Sequence, residues 1–554
     1  MFVRVQGGKV YDPRNEINGK KLDLYFKNGR MVKAPADPSA VDETIDASGC
    51  VIMAGGIDIH THIGGGKVNI ARMMLPEDHR GQEVGLSEHP HPGCGHAAPS
   101  TLTAGYRYAE MGYTACFEPA MLPINARQTH AEMADTPIVD KGAYALLGND
   151  DLLLRLLKQK ADDEQIRDYV AWTLEASQAM AIKVVNPGGI NAFKFNQRKL
   201  DLDEKNSHYN ISPREILLTL SKALKDLGVA HPLHVHGCNL GVPGNDATTL
   251  STISALEGIP AHLTHIQFHS YGLEGDHNFS SSAAQIATAI NANPNISVDV
   301  GQIMFGQTVT ESGDNMRQYA GSAFASPKKW VGMDIECEAG CGVVPFRYKD
   351  KNFVNALQWA IGLELFLLVD DPWRIFLTTD HPNGAPFTSY PHLIRLLMDK
   401  SFRNDMLKTI NSDAALATNL ASIKREYSLY EIAIMTRAAP AKSLGLKQKG
   451  HLGVGADADI AIYKDNANRE RMFEKPTHVF KGGQLVVRNG EIKSSVNGAT
   501  HVVRSDYQRS IKKTVDEYYS RYMTISKDRV RVSDDEIRDE GAGELIIHPA
   551  KRRK

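Results

Sequence analysis

The stretch GGIDIHTHIGGG, residues 55–66, places two histidines on either side of one threonine at the end of a short apolar run. Residues i and i+2 of a β-strand point to the same side, so His60 and His62 would present both imidazoles in one direction. Two neutral imidazoles can hold one metal ion, because imidazole nitrogen is a common zinc ligand. A pair of ordinary loop histidines is the alternative, and this stretch alone leaves both open.

Composition and charge argue against several classes of protein. The chain has 554 residues, 42% of them hydrophobic, which is enough for a large core and more than one domain. The net charge of −2 gives no electrostatic reason to expect a nucleic-acid or anionic-membrane partner. No apolar run approaches the ~20 residues of a membrane helix, and scattered cysteines suit a reducing compartment. We therefore expect a cytoplasmic protein without membrane insertion.

Both ends of the chain contain the same hairpin signal. LDLYFKNGRMV (residues 22–32) and QLVVRNGEIK (residues 484–493) are alternating runs joined by Asn-Gly. This dipeptide suits a two-residue turn, in which both positions need positive φ. We predict one small β-domain with its first part in residues 1–53 and its second part in 447–500. Residues 501–554 are polar, and we predict an extension that docks on a partner or remains solvated.

Short, apolar strands recur between these two ends, separated by stretches long enough for a helix, such as residues 213–228 and 282–292. Near-continuous apolar strands that alternate with helices are typical of parallel strands covered on both faces. Eight such strands predict an α/β fold with a TIM-like (β/α)₈ barrel over residues 54–446. The predicted strands are GIDIH (56–60), TACFEPA (114–120), AYALLGN (143–149), AIKVVN (181–186), PLHVH (232–236), AHLTHI (261–266), ISVDVG (296–301) and IFLTTD (375–380).

Polar residues fall where these predicted strands end. In a (β/α)₈ barrel the active site lies at the carboxyl ends of the strands, whereas the interior is packed with branched apolar side chains. A barrel built only for stability would show no pattern of polar groups at that rim. The strand ends instead contain His60, His62, Glu118, Lys183, His236, His265 and Asp380. Imidazoles suit zinc, and a carboxylate offers an oxygen ligand that can also act as a base.

Lys183 is the unusual member of this set, because metal ions repel an ammonium group. Burial and nearby cations lower the pKa of a lysine and free its neutral amine. A neutral amine can add carbon dioxide to become a carbamate, whose two oxygens can each bind one metal ion. The alternative for Lys183 is an ion pair with an acid such as Glu118, and the residues leave both open.

This arrangement resembles the binuclear amidohydrolase superfamily: HTH on the first strand, Lys on the fourth, His on the fifth and sixth, and Asp on the eighth. A β-domain split between the chain ends, with its segment GADADI, is similar to that superfamily too. Longer stretches resemble the A-type subunits of formylmethanofuran dehydrogenases and the hydrolytic A-type subunits of bacterial formyltransferase/hydrolase complexes. They include IDIHTHIGGGKVNIARMMLPEDHR, KVVNPGG, HVHGCNLGVPGN and TTDHPNGAPF.

The resemblance implies a metal-dependent hydrolase that acts on the C–N bond of a linear formamide. It implies two zinc ions per chain, bridged by N6-carboxylysine at Lys183. It places the catalytic role on Asp380, which would accept the proton of the attacking water, and on His236. His234 competes with His236 for the ligand role, and the resemblance favours His236. The implied ligands are His60, His62, Lys183, His236, His265 and Asp380.

The resemblance also implies a substrate and partners. The substrate would be a formyl group on a methanofuran- or methylofuran-type carrier, interconverted with formate and the free amine, and we favour release of formate. The partners would be a formyltransferase and B- and C-type subunits of one complex. A cyclic amidase of the dihydropyrimidinase or dihydroorotase type and a non-catalytic barrel scaffold are the alternatives. Long loops at 63–113 and 302–374 predict a deep, partly covered site.

Overall fold

Eight parallel strands form the predicted TIM-like barrel, and the fold class is confirmed. The computed structural model describes residues 1–79, 95–194, 197, 200–332, 341–539 and 543–552. Each barrel strand pairs in parallel with the next, and a bridge between Thr61 and His381 joins the first strand to the eighth. Barrel strands 1 to 8 are Gly56–Asp58, Tyr113–Met121, Asp140–Leu146, Ala181–Val185, Leu233–His236, Ala261–Leu263, Ile296–Asp299 and Ile375–Phe376.

Helices cover the outside of the barrel between successive strands. The predicted helix at 213–228 is present as Pro213–Leu227, where a capping box of Ser212 and Glu215 starts the helix and Gly228 ends it with φ 71°. The other main helices are Thr101–Glu110, Ala126–Ala134, Asp151–Lys158, Asp163–Ala176, Asp246–Ala255, Ala283–Ala292, Phe353–Leu368, Tyr390–Met398 and Lys400–Thr409. Within the described part of the chain, none of the helices has the length and apolar character needed to cross a bilayer.

The two chain ends form one antiparallel-rich sheet beside the barrel, as the paired Asn-Gly hairpins predict. Both turns have positive φ at each central residue: 50° and 78° at Asn28 and Gly29, and 54° and 75° at Asn489 and Gly490. The halves meet where Cys50–Ala54 pairs with Ile460–Lys464. The remaining strands are Phe2–Asp12, Ile17–Lys27, Arg30–Val32, Glu43–Asp46, His478–Lys481, Gln484–Arg488 and Glu491–Ile492.

The C-terminal extension packs on its own barrel, whereas its polar sequence predicted docking on a partner or a solvated segment. Strands Thr500–Ser505 and Leu545–Ala550 pair in parallel, and Thr500 pairs with Lys141 of barrel strand 3. The extension folds here because Val502, together with Val515 of helix Ile511–Tyr522, is buried in the main core. Its helix buries Ile511, Val515 and Tyr518, four and three residues apart, so the sequence contained a helical periodicity that the prediction missed.

A buried ion network joins the barrel, the small β-domain and the extension. Asp140 of barrel strand 3 forms ion pairs with Lys449 and Lys481, and both lysines also contact Asp459, at 2.9 and 2.8 Å. His501 of the extension lies 3.5 Å from the same Asp140 carboxylate. Buried charges of this kind are tolerated only when they are paired, so the network fixes how the three parts of the chain meet.

Candidate metal centre

Barrel strand 1 delivers His60 and His62 to the carboxyl end of barrel strand 8. His60 Nε2 lies 2.8 Å from Asp380 Oδ1, and His62 Nε2 lies 3.4 Å from the same oxygen. One ligand atom from each of the three side chains falls within 4.8 Å of the other two. This spacing suits three ligands around one ion, so the structure brings three of the predicted ligands together.

His236 and His265 form the other side of the site, at the ends of barrel strands 5 and 6. Their ring centroids are 4.6 Å apart, and the His265 ring lies 5.5 Å from the ring of His60. His236 Nε2 and His265 Nδ1 are buried, and neither has a hydrogen-bond partner among the residues that the structure describes. Leaving a buried polar atom unpaired costs about 1–3 kcal/mol, and a metal ion would supply the missing partner. The donor set therefore fits metal ions.

Lys183 enters the site from barrel strand 4, with Nζ 3.5 Å from His60 Nε2. Among the described residues no carboxylate oxygen lies within 4.0 Å of this nitrogen, so the ion pair with Glu118 is absent. Burial lowers the pKa of Lys183 to about 8, although Asp380 and Asp299 oppose that shift. A neutral fraction of the amine is therefore present near pH 7, as carbamate formation requires.

Glu118 fixes the orientation of His62 instead. Its Oε1 lies 3.0 Å from His62 Nδ1, and its Oε2 accepts a hydrogen bond of 2.8 Å from the backbone N–H of Ile63. A carboxylate behind a ligating imidazole sets the tautomer and the ring plane. Burial lowers the pKa of His62, but Glu118, Glu311 and Asp380 outweigh it and raise this pKa to about 10. The surplus of negative charge favours a bound cation.

His236, His265 and Asp380 are in the protonation states that metal binding requires. Burial holds the pKa of His236 and of His265 well below the usual range of imidazole, so both rings are neutral. Burial by itself raises the pKa of Asp380. His60 and His265 lower this pKa by a larger amount and hold it well below the usual range of a carboxyl. At neutral pH His236 and His265 thus present neutral nitrogens and Asp380 an ionised oxygen, whereas His62 would have to release its proton to bind a metal ion.

The backbone is held in an unusual conformation at two candidate ligands. His265 has φ 37° and Asp380 has φ 49°, in the left-handed region that non-glycine residues rarely adopt. Gly301, beyond the end of barrel strand 7, has φ 65°, and a Cβ there would lie 2.8 Å from the Cα of His265. Strained residues persist where the surrounding structure requires them, which fits a functional site. A side chain at 301 would collide with His265 and crowd Asp380, so this position requires glycine.

A cavity of about 470 Å³ opens directly onto these residues. Its floor contains His62, Lys183, His236, His265 and Asp380. Much of its wall comes from the long insertion at 302–374, whose strands Gly306–Ser312 and Gly342–Tyr348 pair with each other. The apolar lining is supplied by Leu240, Phe268, Phe324, Val344, Phe346 and Tyr348. Within the other long loop, residues 80–94 lie outside the described residues.

Sequence reasoning missed several residues that complete the site. Asp299 accepts hydrogen bonds from the backbone N–H of His265, at 3.0 Å, and from Thr378 Oγ1, at 2.7 Å. Asp299 is the last residue of barrel strand 7 and lies inside the seventh predicted strand, 296–301, so a polar residue in that apolar run was a usable signal. Glu311 lies 3.4 Å from His62 Nδ1 but belongs to the insertion, where no pattern marks it. His234 points away from the cavity, towards His60 Nδ1.

Comparison with known proteins assigns the family. The profile of the amidohydrolase family matches residues 43–487. The chain belongs to the amidohydrolase family. It is 44% identical over 526 residues to the A-type subunit of the formyltransferase/hydrolase complex Fhc of Methylorubrum extorquens, with 94% of each chain covered. It is 42% identical to the protein FwdA of Methanocaldococcus jannaschii, with 96% of each chain covered.

A solved structure of an amidohydrolase-family relative agrees with the fold over the whole chain. The X-ray structure of the formyltransferase/hydrolase complex FhcABCD from Methylorubrum extorquens, in complex with methylofuran, matches with a TM-score of 0.95 and 42% identity. The match covers 100% of both chains. The resemblance inferred from the sequence motifs is therefore confirmed.

Gly301→Ala tests whether the close approach of His265 and Asp380 is needed for metal binding. The matched control is Gly258→Ala, because Gly258 has a similar φ of 70° but no atom within 4 Å of its Cβ position. Both substitutions should lower stability by about 1 kcal/mol or more, since alanine is strained at positive φ. Only Gly301→Ala should also lower the metal content, measured by elemental analysis of the folded protein. A full metal complement in Gly301→Ala would contradict this account of the site.

Proposed function

We propose that the protein hydrolyses the N-formyl amide of a methylofuran- or methanofuran-type carrier and releases formate and the free amine. The observation that supports this most strongly is that a chain 44% identical to the A-type Fhc subunit, over 94% of its length, brings five of its six predicted ligands to the floor of one cavity. The fold of the family is compatible with many amide substrates, so the carrier assignment is taken from the relatives and not from the fold.

The candidate ligands divide into two groups around Lys183. We assign one zinc ion to His60, His62 and Asp380, a second zinc ion to His236 and His265, and a bridging role to N6-carboxylysine at Lys183. When bound, two such ions lower the pKa of water towards neutrality and polarise the carbonyl of the substrate. The unpaired nitrogens of His236 and His265 and the missing carboxylate partner of Lys183 support this division.

Asp380 is the residue that moves a proton in this proposal. Its carboxyl is ionised at neutral pH because the neighbouring imidazoles His60 and His265 hold its pKa low. It can therefore accept the proton of the water that attacks the formyl carbon. It can then deliver that proton to the departing nitrogen, since an amine leaves poorly unless it is protonated. His236 borders the cavity as well as the ligand group and can orient the formyl oxygen.

The cavity supports a carrier larger than a simple formamide. Its volume of about 470 Å³ is in the range of sites for drug-sized ligands, whereas a formyl group fills only a small part of it. Phe346 and Tyr348 contact each other in an edge-to-face arrangement, with ring centroids 4.8 Å apart, and both line the wall. Aromatic side chains of this kind bind a ring-bearing carrier and exclude water from the reacting groups.

We further propose that the chain works in the cytoplasm in a complex with a formyltransferase and B- and C-type subunits. The relative with a TM-score of 0.95 is part of the FhcABCD complex, which supports this assignment. The shared carrier would then pass between the protein that transfers the formyl group and this chain, which releases it as formate.

Lys183→Ala tests the bridging role of the lysine. The variant should lose at least one of the two zinc ions, because alanine cannot supply the two carbamate oxygens. Acetate or propionate should restore part of the metal content. Lys141→Ala is the matched control, since it removes another buried barrel lysine, one whose Nζ bonds the carbonyl of Thr136 at 2.9 Å. Two zinc ions retained in Lys183→Ala would refute the bridge.

Asp380→Asn tests the proton-transfer role. The amide cannot accept a proton, and loss of a general base typically reduces the rate by ~10²–10⁴-fold. We expect kcat to fall by this factor while the fold, followed by circular dichroism, is retained. The control is Asp203→Asn, at an exposed ion pair with Arg214, which should leave kcat unchanged. An Asp380→Asn enzyme with wild-type turnover would leave Asp380 with a structural role only.

Substrate preference tests the proposed function as a whole. The purified complex is offered an N-formyl methylofuran-type carrier, N-methylformamide and a hydantoin ring, each at equal concentration, with the Asp380→Asn complex as background. Release of formate should be fastest from the carrier, because only the carrier fills the aromatic cavity. Activity confined to the ring would favour a cyclic amidase. Absence of turnover with all three, in protein that holds its metal, would favour the non-catalytic scaffold.

A further inference from the structure

A row of hydrogen-bonded imidazoles lies beneath the candidate metal centre, along the interior of the barrel. His60 Nδ1 is 2.9 Å from His234 Nε2, and His234 Nδ1 is 3.0 Å from His231 Nε2. His231 Nδ1 is in turn 2.9 Å from Ser443 Oγ. We call these four residues, His60, His234, His231 and Ser443, the histidine ladder. It runs from a candidate metal ligand to the residues that precede barrel strand 5, at the opposite end of the barrel.

Imidazoles are unusual in this position, because the interior of such a barrel is normally filled by branched apolar side chains. His60 and His234 are 0% exposed, and His231 is 1% exposed. A buried polar nitrogen is destabilising unless it is hydrogen-bonded. In the ladder each nitrogen of His234 and His231 has a partner. The nitrogens of His234 and His231 are therefore hydrogen-bonded without a ligand. His236 Nε2 and His265 Nδ1, in contrast, have no partner among the described residues.

The ladder does not form a second metal site. One atom each from His60, His234 and Asp299 lies within 4.8 Å of the others, a spacing that could suit an ion. The Asp299 carboxylate, however, already has its own hydrogen-bond partners. Its Oδ2 lies 3.0 Å from His262 Nε2, and its Oδ1 accepts hydrogen bonds from the His265 N–H and from Thr378. Hydrogen bonds thus account for this cluster.

The proton positions along the ladder depend on one another. A neutral imidazole has one N–H donor and one acceptor nitrogen. If His60 directs the lone pair of Nε2 to the metal centre, its proton is on Nδ1 and is donated to His234 Nε2. His234 must then donate from Nδ1 to His231 Nε2, and His231 must donate from Nδ1 to Ser443 Oγ. In the reverse direction His60 would carry its proton on Nε2 and could not bind a metal ion.

Asp299 favours the direction that allows metal binding. The carboxylate oxygen Oδ2 of Asp299 is 3.5 Å from His60 Nδ1 and 3.9 Å from His234 Nε2. A negative charge attracts the N–H hydrogen more strongly at the shorter distance, which places the proton on His60. Thr264 Oγ1 also contacts His60 Nδ1, and because a hydroxyl can accept or donate, this contact is compatible with a proton on His60 Nδ1.

We propose that His234, supported by His231 and Ser443, sets the tautomer of His60 and is thereby a positioning residue for this metal ligand. The inference rests on the proposed metal centre and deepens it. His234 does not line the cavity, and the direct link between its side chain and a candidate ligand is the hydrogen bond to His60. Hydrogen bonds of this kind behind a metal ligand typically change metal affinity by 10–100-fold.

The test replaces His234 in the full chain, purified with the proteins that accompany it, and measures zinc content after dialysis against graded EDTA. Leucine at 234 removes the acceptor for His60 Nδ1. Glutamine at 234 can place an amide oxygen near the position of Nε2, whereas asparagine reaches only the position of Nδ1. We expect His234→Leu to lose its first zinc ion at EDTA concentrations 10–100-fold lower than the wild type. Retention should follow the order wild type, His234→Gln, His234→Asn, His234→Leu.

Further variants separate the ladder from folding effects. His130→Leu removes a buried histidine that bonds the carbonyl of Ser177 outside the site, and it should retain zinc as the wild type does. Ser443→Ala removes only the far end of the ladder and should lower zinc retention by a smaller factor. If His234→Leu fails to fold, the comparison of His234→Gln with His234→Asn decides the question in the same assay.

The outcomes distinguish the ladder from the proposed function. Zinc retention in His234→Leu and His234→Asn equal to that of a zinc-loaded wild type would overturn the ladder and leave the metal centre intact. A wild-type chain that binds no zinc would overturn the metal centre and the ladder together. Loss of zinc in His234→Leu with recovery in His234→Gln would support the positioning role, because a purely structural defect would not follow the location of the acceptor atom.

Discussion

The carboxylate of Asp299 joins four strands of the barrel beneath the candidate metal centre. It bonds His262 of barrel strand 6 and the backbone N–H of His265, just beyond that strand. It also bonds Thr378, after barrel strand 8, and lies 3.5 Å from His60, after barrel strand 1. A buried carboxylate is stable only when its oxygens are hydrogen-bonded. The strand ends must therefore meet in one arrangement, and that arrangement brings the imidazoles to the floor of the cavity.

Above this floor, the site combines unsatisfied nitrogen ligands with a surplus of negative charge. His236 and His265 each have an unpaired nitrogen, while three carboxylates raise the pKa of His62 to about 10. Below the floor, all nitrogens of His231, His234 and His262 have partners. The unpaired nitrogens above the floor are therefore open to a metal ion, and the hydrogen-bonded imidazoles below the floor support the candidate ligands. Hydrogen bonds behind the ligands restrict the side-chain conformations of those ligands in advance, so metal binding has less conformational freedom to remove.

The elements that the sequence predicted well are those set by local pattern. The barrel strands are short apolar runs, and the hairpins at Asn28 and Asn489 use a dipeptide that tolerates positive φ at both positions. The predictions were weaker where distant segments meet. The sequence offers Glu118 as a partner for Lys183, but Glu118 bonds His62 and the backbone N–H of Ile63. The C-terminal extension was predicted to dock on a partner or to be solvated because its composition is polar, although Ile511, Val515 and Tyr518 have the spacing of a buried helix face.

The sequence by itself determined the eight-strand barrel, the β-domain shared by the chain ends and the six candidate ligands. It could do so because a barrel strand delivers its last residues to one rim, whatever the details of packing. Only the tertiary structure decided the role of His234, the support from Asp299 and the cavity wall formed by the insertion at 302–374. Those features depend on the distance and direction between atoms far apart in the chain, which residue spacing along one strand does not specify.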